Sequence, residues 1–286
     1  MRRSRMGLTQ GEHMVTVKGR HPSRRAITPR AAGRRAWRPS ALRDAPSAPF
    51  RLKGADVEQA LVTGEHSDLL QRYFGEEAQA ELSELARGAA SRFPRGGPRV
   101  LILPGIMGST LGSPRPGFLL DDVVWIDPLD IAAGHLTTLA LIPGPARHRA
   151  LGVVLLAYLK LELRLRSAGY DAGFHPYDWR QGLDVLGAEL AGRIADDPAD
   201  EIQLVAHSMG GLVARAALRK GAEKVKRLVM LGTPNYGSFV PVQALRATYP
   251  VVRKVAWLDL HHSPEQLAAQ VFSTFPGLYQ MLPAPE

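Results

Sequence analysis

The chain has 286 residues, with 36 Lys and Arg against 27 Asp and Glu and no cysteine. This length suffices for one large domain with a substantial core or for two small domains. The lack of cysteine excludes disulfide scaffolds, thiolate zinc sites, iron–sulfur clusters and cysteine nucleophiles. Residues 1–53 contain 14 Lys and Arg and two acids, whereas residues 54–286 contain 22 Lys and Arg and 25 acids. Because this larger part is mildly acidic, no specific nucleic-acid partner is expected for it.

Residues 1–53 are rich in Arg, Pro, Ser and Ala, and this composition predicts a disordered basic tail. The tail lacks the apolar run of a secretory signal peptide, and no later segment has the ~18 uninterrupted apolar residues of a transmembrane helix. A cytoplasmic location is therefore expected. Three interpretations of the tail stay open: a solvated extension, an arm that binds a polyanion or an anionic membrane, and a transit-like peptide.

Residues 54–97 are predicted to be a helical segment followed by a linker. Apolar side chains recur at helical spacing between residues 55 and 91, which predicts two or three amphipathic helices with breaks at Gly64 and Gly75. Proline and glycine between residues 94 and 98 mark the linker.

Residues 98–286 are predicted to form an α/β core, because short apolar runs alternate with helical patterns. Residues 112–149 are expected to be irregular. Strands are predicted over residues 99–103, 169–174, 201–206 and 225–231, and helices over residues 151–166, 181–195 and 209–220. Strands alternating with helices predict a parallel sheet covered by helices.

A strand–turn–helix segment over residues 206–211 reads Ala-His-Ser-Met-Gly-Gly. It has the pattern of a nucleophile elbow, in which a serine on a sharp turn exposes its hydroxyl above the carboxyl end of the sheet. Ala206 and Gly210 supply the small side chains that such a turn needs on both sides of Ser208. The N–H of Met209, at the start of the helix, is a candidate donor to an oxyanion.

A second glycine-rich loop, over residues 104–109, reads Pro-Gly-Ile-Met-Gly-Ser and directly follows the first predicted strand. In a fold with a serine elbow, this loop supplies the other oxyanion donor. The backbone N–H of Met107 is the best candidate for it. His207 is predicted to point away from Ser208 and to have a structural role rather than to act as the general base.

Together these motifs resemble the lecithin:cholesterol acyltransferase-like family of lipases and acyltransferases. Further motifs of that family occur in the same order and at similar spacing, namely Trp-Ile-Asp-Pro at 125–128, Pro-Tyr-Asp-Trp-Arg at 176–180, Leu-Gly-Thr-Pro-Asn-Tyr-Gly-Ser at 231–238 and a late lid segment at 275–283. The resemblance covers about residues 95–283. It implies an α/β-hydrolase fold with lid segments at about 112–149 and 237–286.

The resemblance also implies roles for individual residues. Ser208 would form an acyl-serine intermediate from a lipid or other carboxylic ester, and the acyl group would pass to water or to an alcohol. The N–H groups of Met107 and Met209 would form the oxyanion hole. Trp125 and Tyr236 are candidate lid or substrate contacts, although a buried packing role for Trp125 is an open alternative. The Asp and Arg of the 176–180 motif are interpreted as a structural ion pair.

The acid and base of a triad are not found where the resemblance places them. In this fold they follow the serine in the order Asp or Glu, then His, and the family has them after its late lid segment. The sequence ends at Glu286, directly after that segment. The sequence is therefore interpreted as C-terminally incomplete, with little or no activity alone and with a sheet edge left open after residue 231.

Only two histidines follow Ser208, and they are adjacent to each other. An alternative triad would use Asp259 with His261 or His262. A helix N-terminus capped by Ser263 is the preferred interpretation of this segment.

These observations favour a serine-dependent acyl hydrolase or O-acyltransferase of lipid metabolism. The alternatives are a non-catalytic lipid-binding protein of the same fold and an interaction protein that docks through its basic tail. The expected partners are a lipid or ester substrate and a membrane contacted peripherally through the lid or the tail. No nucleotide-binding loop and no His, Asp and Glu cluster with metal-ligand spacing is present, so neither a cofactor nor a metal is expected.

Overall fold

The computed structural model describes residues 53–92, 97–114, 121–144 and 147–284. The predicted basic tail, apart from Lys53, lies outside the described residues. The helices are α1 (Gly54–Thr63), α2 (Ser67–Phe74), α3 (Glu76–Arg92), α4 (Pro128–Ala132), α5 (Leu155–Ser167), α6 (Leu183–Ala195), α7 (Met209–Arg219), α8 (Val240–Leu245), α9 (Pro250–Leu258), α10 (Pro264–Gln270) and α11 (Pro276–Tyr279). The strands are β1 (Arg99–Leu103), β2 (Ser109–Ser113), β3 (Asp122–Trp125), β4 (Arg149–Val153), β5 (Asp171–Phe174), β6 (Ile202–His207) and β7 (Val225–Leu231).

The central layer is a parallel sheet in the order β5-β1-β6-β7. From Val100 to Leu103, β1 is buried on both faces, as expected for an inner strand of a sheet covered by helices. Helices α6 and α7 pack against each other, and Leu186, Leu190 and Val213 join the core around β1 and β6. The predicted parallel, helix-covered sheet is therefore confirmed.

The segment before the sheet contains three helices. α1 ends at Gly64 and α2 at Gly75, both with positive φ, a backbone conformation that glycine adopts without strain. Leu61 and Leu70 are buried together with Leu163 of α5 in a second apolar cluster. The helical pattern in this part of the sequence is thus explained by packing onto α5.

Two of the secondary-structure predictions are wrong. The helix predicted over residues 151–166 begins only at Leu155, because residues 149–153 form β4. Residues 112–149 are not irregular, since their described part contains β3, α4 and a 3-10 helix, His135–Leu139. Strands β2, β3 and β4 form a separate antiparallel sheet in the order β3-β2-β4.

The β7 strand forms one edge of the parallel sheet and, within the described residues, pairs only with β6. The last four residues of β7 are apolar, yet Val229, Met230 and Leu231 are each about 40% exposed. Both its outer backbone groups and part of its apolar surface therefore face outward.

No helix in the described ranges combines the length and the apolar character that crossing a membrane requires.

Candidate active site

Ser208 occupies the turn between β6 and α7 with φ 52° and ψ −123°. A non-glycine residue rarely adopts this backbone conformation, and in a nucleophile elbow it is what lifts the hydroxyl above the sheet. Two hydrogen bonds hold the turn: the Ser208 N–H donates to the Leu231 carbonyl oxygen (2.8 Å), and the Gly211 N–H donates to the Ser208 carbonyl oxygen (3.0 Å). The predicted elbow is therefore present as a strained, well-anchored turn.

The small residues around the serine are required by close packing. Ala206 is fully buried in β6. A Cβ atom at Gly210 would lie 2.5 Å from the Pro104 carbonyl oxygen and 2.9 Å from that of Leu103. A Cβ at Gly211 would overlap the side chain of Thr233. The start of α7 thus packs directly against the backbone that leads into the loop at residues 104–109.

That loop, called here the oxyanion loop, lies against the elbow. A Cβ at Gly105 would lie 3.0 Å from the Ser208 Cβ. The Gly108 N–H donates to the Gly105 carbonyl oxygen (3.0 Å), and Met107 has φ 62°, so the loop turns tightly around Met107. Among the hydrogen bonds formed by the described residues, none uses the N–H of Met107 or of Met209. Neither candidate donor is therefore engaged by another described residue, although Met209 itself is fully buried.

The two aromatic candidates have opposite environments. Trp125 is only 2% exposed; its indole N–H donates to the Met107 carbonyl oxygen (2.9 Å), and its ring packs edge-to-face on Trp179. The expectation of an exposed aromatic at Trp125 is therefore not met, and the packing alternative describes this residue. Tyr236, in contrast, is 87% exposed.

Among the described residues, the histidines near the elbow and after it form no hydrogen bond with the Ser208 hydroxyl. The Nδ1 atom of His207 lies 2.9 Å from the Tyr158 hydroxyl, in agreement with a structural role. The Asp259 carboxylate accepts from the backbone N–H groups of His261 and His262 and lies 3.0 Å from the His262 Nδ1. Within the described ranges, the Ser208 hydroxyl has no hydrogen bond to a histidine, so no triad is assembled there.

The segment that follows confirms the preferred interpretation. Ser263 caps α10 in a capping box with Gln266, as predicted for a helix N-terminus.

The chain was compared with protein families, curated proteins and solved structures. Residues 192–272 match the model of a family described as a PGAP1-like alpha/beta domain. No curated protein matches the chain. Among solved structures, the mature form of the Bacillus licheniformis lipase BlEst2 is similar, with a TM-score of 0.34 and 18% identity over 66% of this chain. The alignment spans 60% of the lipase.

The family match includes β6, the serine elbow, α7 and β7, and thus two of the four strands of the helix-flanked parallel sheet. The fold is an α/β-hydrolase fold.

The predicted ion pair between Asp178 and Arg180 is present and buried in this hydrolase fold. The Arg180 guanidinium donates to both Asp178 carboxylate oxygens (2.8 and 2.7 Å). It also donates to the carbonyl oxygens of Leu139 (2.8 Å) and His148 (3.0 Å). One side chain therefore ties the loop after β5 to the segment that carries the antiparallel sheet.

One neighbour of the elbow was not found in the sequence. Tyr158, on α5, contacts both the elbow and the oxyanion loop, but no local pattern distinguishes it from an ordinary buried helix residue. His175, directly after β5, is stacked on Tyr177, and among the described residues its buried Nε2 has no hydrogen-bond partner. Burial lowers the pKa of His175 to about 4, so its ring is neutral near pH 7.

Proposed function

We propose that this protein is a serine-dependent acyl hydrolase or O-acyltransferase that acts on lipid or other carboxylic esters through an acyl intermediate on Ser208. The observation that carries the proposal is the strained elbow, which presents Ser208 beside the oxyanion loop. The α/β-hydrolase fold supports a lipid ester hydrolase type of function. The motifs shared with the lecithin:cholesterol acyltransferase-like family support lipid esters as the substrates. They also support an alcohol, besides water, as the acceptor of the acyl group.

In this reaction the Ser208 Oγ attacks the carbonyl carbon of the ester. The carbonyl oxygen becomes an oxyanion and accepts hydrogen bonds from the N–H groups of Met107 and Met209. Collapse of this tetrahedral intermediate breaks the bond between the carbonyl carbon and the alkoxy oxygen. The alkoxy group takes up the proton that Ser208 lost and leaves as an alcohol. Water or an alcohol then attacks the acyl-serine, releasing an acid or a new ester and restoring the hydroxyl.

The proton of Ser208 must have an acceptor. Since no histidine contacts this hydroxyl within the described ranges, we expect the chain to react slowly and to depend on hydroxide. The oxyanion hole and substrate binding alone leave a residual rate in serine hydrolases that lack their base.

Covalent labelling by a fluorophosphonate, followed by intact mass, tests the proposal. The Ser208 Oγ displaces fluoride from phosphorus, so the protein gains the phosphonyl mass. We expect slow labelling that is absent in Ser208→Ala, that accelerates about tenfold per pH unit between pH 7 and 10, and that added imidazole accelerates.

Two other outcomes have different meanings. A labelling rate that levels off near pH 7 would show a histidine base at work and would contradict the incomplete triad. A folded protein that stays unlabelled at pH 10 would support the alternative function, a non-catalytic lipid-binding protein.

We also propose that the protein contacts lipid surfaces peripherally through α9, which lies in the predicted lid segment at about residues 237–286. Its outward side carries Arg253, Lys254 and Trp257, and Trp257 is 82% exposed. Leu260, just beyond the helix, is 79% exposed. Basic residues beside exposed Trp and Leu are the composition of helices that lie in the interface of anionic membranes.

Sedimentation with phosphatidylglycerol vesicles measures this contact. Trp257→Glu is expected to reduce the bound fraction at least about tenfold, because a buried indole is replaced by a charge that the lipid repels. The control is Leu156→Glu on α5, an exposed apolar residue away from α9, which should bind like the unmodified chain. Binding that is unaffected by Trp257→Glu but lost on deleting residues 1–50 would assign the contact to the basic tail instead.

A further inference from the structure

Tyr158 connects the oxyanion loop to the residue before the nucleophile. Its hydroxyl accepts a hydrogen bond from the Gly105 N–H (2.8 Å) and lies 2.9 Å from the Nδ1 atom of His207. The side chain is nearly buried, with the residue 7% exposed, and burial raises the pKa of its hydroxyl. The hydroxyl is therefore protonated and fixed in place at neutral pH.

The proton positions follow from the donors available. A tyrosine hydroxyl has one hydrogen to donate, and the Gly105 N–H can only be a donor to its oxygen. The hydroxyl hydrogen is free to be donated to the His207 Nδ1 when that nitrogen carries no hydrogen. In that arrangement the ring hydrogen of His207 lies on Nε2.

The hydroxyl lies inside the turn of the oxyanion loop. A Cβ at Gly108 would lie 2.8 Å from the Tyr158 hydroxyl and 2.9 Å from the Gly105 carbonyl oxygen. A Cβ at Gly105 would lie 3.0 Å from both the His207 Nδ1 and the Ser208 Cβ. Gly105 and Gly108 therefore both lie close to the Tyr158 hydroxyl. Gly105 is also packed tightly against the elbow.

We propose that Tyr158 and His207 are positioning residues that set the distance between the oxyanion loop and Ser208. The proposal rests on the proposed function for its effect on rate. Two successive contacts, from the Gly105 N–H to the Tyr158 hydroxyl and from there to the His207 Nδ1, link two parts of the site. One part is the loop that carries the Met107 donor, and the other is the turn that carries the Met209 donor and the nucleophile. Preorganised donors at a fixed distance from the reacting carbon are what oxyanion stabilisation requires.

The first test measures the hydrogen bonds themselves and needs no catalysis. In ¹⁵N-labelled protein, His207 is expected to show a protonated Nε2 and an unprotonated Nδ1, and Tyr158→Phe should shift the Nδ1 resonance. Hydrogen exchange at the Gly105 N–H should accelerate at least about tenfold in Tyr158→Phe, while exchange in the middle of β1 stays unchanged. A His207 protonated on Nδ1, or unchanged exchange at Gly105, would overturn the proposal.

The second test measures the effect on rate and includes a conservative variant. His207→Asn places an amide oxygen near the former Nδ1 and keeps an acceptor for Tyr158, whereas His207→Leu does not. We expect His207→Leu and Tyr158→Phe each to slow fluorophosphonate labelling about tenfold with unchanged reversible binding, and His207→Asn to restore most of the rate.

The two tests separate the proposals. A wild-type chain that shows the NMR signature but is never labelled would refute the proposed function and leave the positioning pair intact. Equal labelling by His207→Leu and His207→Asn would refute the positioning pair even if Tyr158→Phe failed to fold.

Discussion

Replacing Arg180 with methionine is expected to lower the free energy of unfolding by about 3–5 kcal/mol. Arg180 has a 2% exposed side chain, and its guanidinium satisfies the Asp178 carboxylate and the carbonyl oxygens of Leu139 and His148. Methionine fills similar space but donates nothing, so one carboxylate and two carbonyl oxygens lose their donor. Urea unfolding followed by circular dichroism gives the difference.

The matched control is Arg164→Met on α5. Its guanidinium contacts Glu81 at 3.0 Å, but the side chain is 60% exposed and Lys160 also pairs with that carboxylate. A change of less than about 1 kcal/mol is expected there. If both variants lost the same stability, the buried network of Arg180 would contribute nothing beyond an ordinary surface pair.

Gly210→Ala is expected to destabilise the protein by about 1–3 kcal/mol and to slow labelling of Ser208 about 100-fold. The added methyl group would meet the carbonyl oxygens of Pro104 (2.5 Å) and Leu103 (2.9 Å), which belong to the backbone and cannot rotate away. The start of α7 must then move away from β1 and the oxyanion loop. This movement separates Ser208 from the Met107 N–H.

Gly192→Ala on α6 is the control for this substitution. Nothing lies within 4 Å of a Cβ at Gly192, so alanine there gains helix propensity without a clash. The expected change is a stabilisation of about 0.5–1 kcal/mol, opposite in sign. Thermal unfolding of the two variants, with labelling rates measured in parallel, checks both. A Gly210→Ala variant as stable and as reactive as the unmodified chain would contradict the tight packing at the elbow.

The strands that position Ser208 could be predicted from the sequence because their signals are local. β1, β6 and β7 are short apolar runs, and each is followed closely by a glycine-containing turn. The elbow could be predicted because small residues are needed two positions before and two after Ser208. Each of these patterns fits within about ten residues.

The antiparallel sheet could not be predicted because its pairing is not local. Residues of β4 pair with β2, near the other end of the segment, and the alternating leucines after residue 151 equally suit a strand or a buried helix. Trp125 is buried by Trp179 from another part of the chain. Tyr158 reaches His207 across 49 residues of sequence, so its place in the site depends on the completed fold.

The open edge of β7 has a practical meaning for anyone who purifies this protein. Within the described residues β7 is paired on one side only, and a sheet edge with half-exposed Val229 and Met230 is a template for intermolecular pairing. A lysine at Met230, added to the Lys226 and Arg227 that the strand already carries, would act as a further gatekeeper at its exposed apolar end.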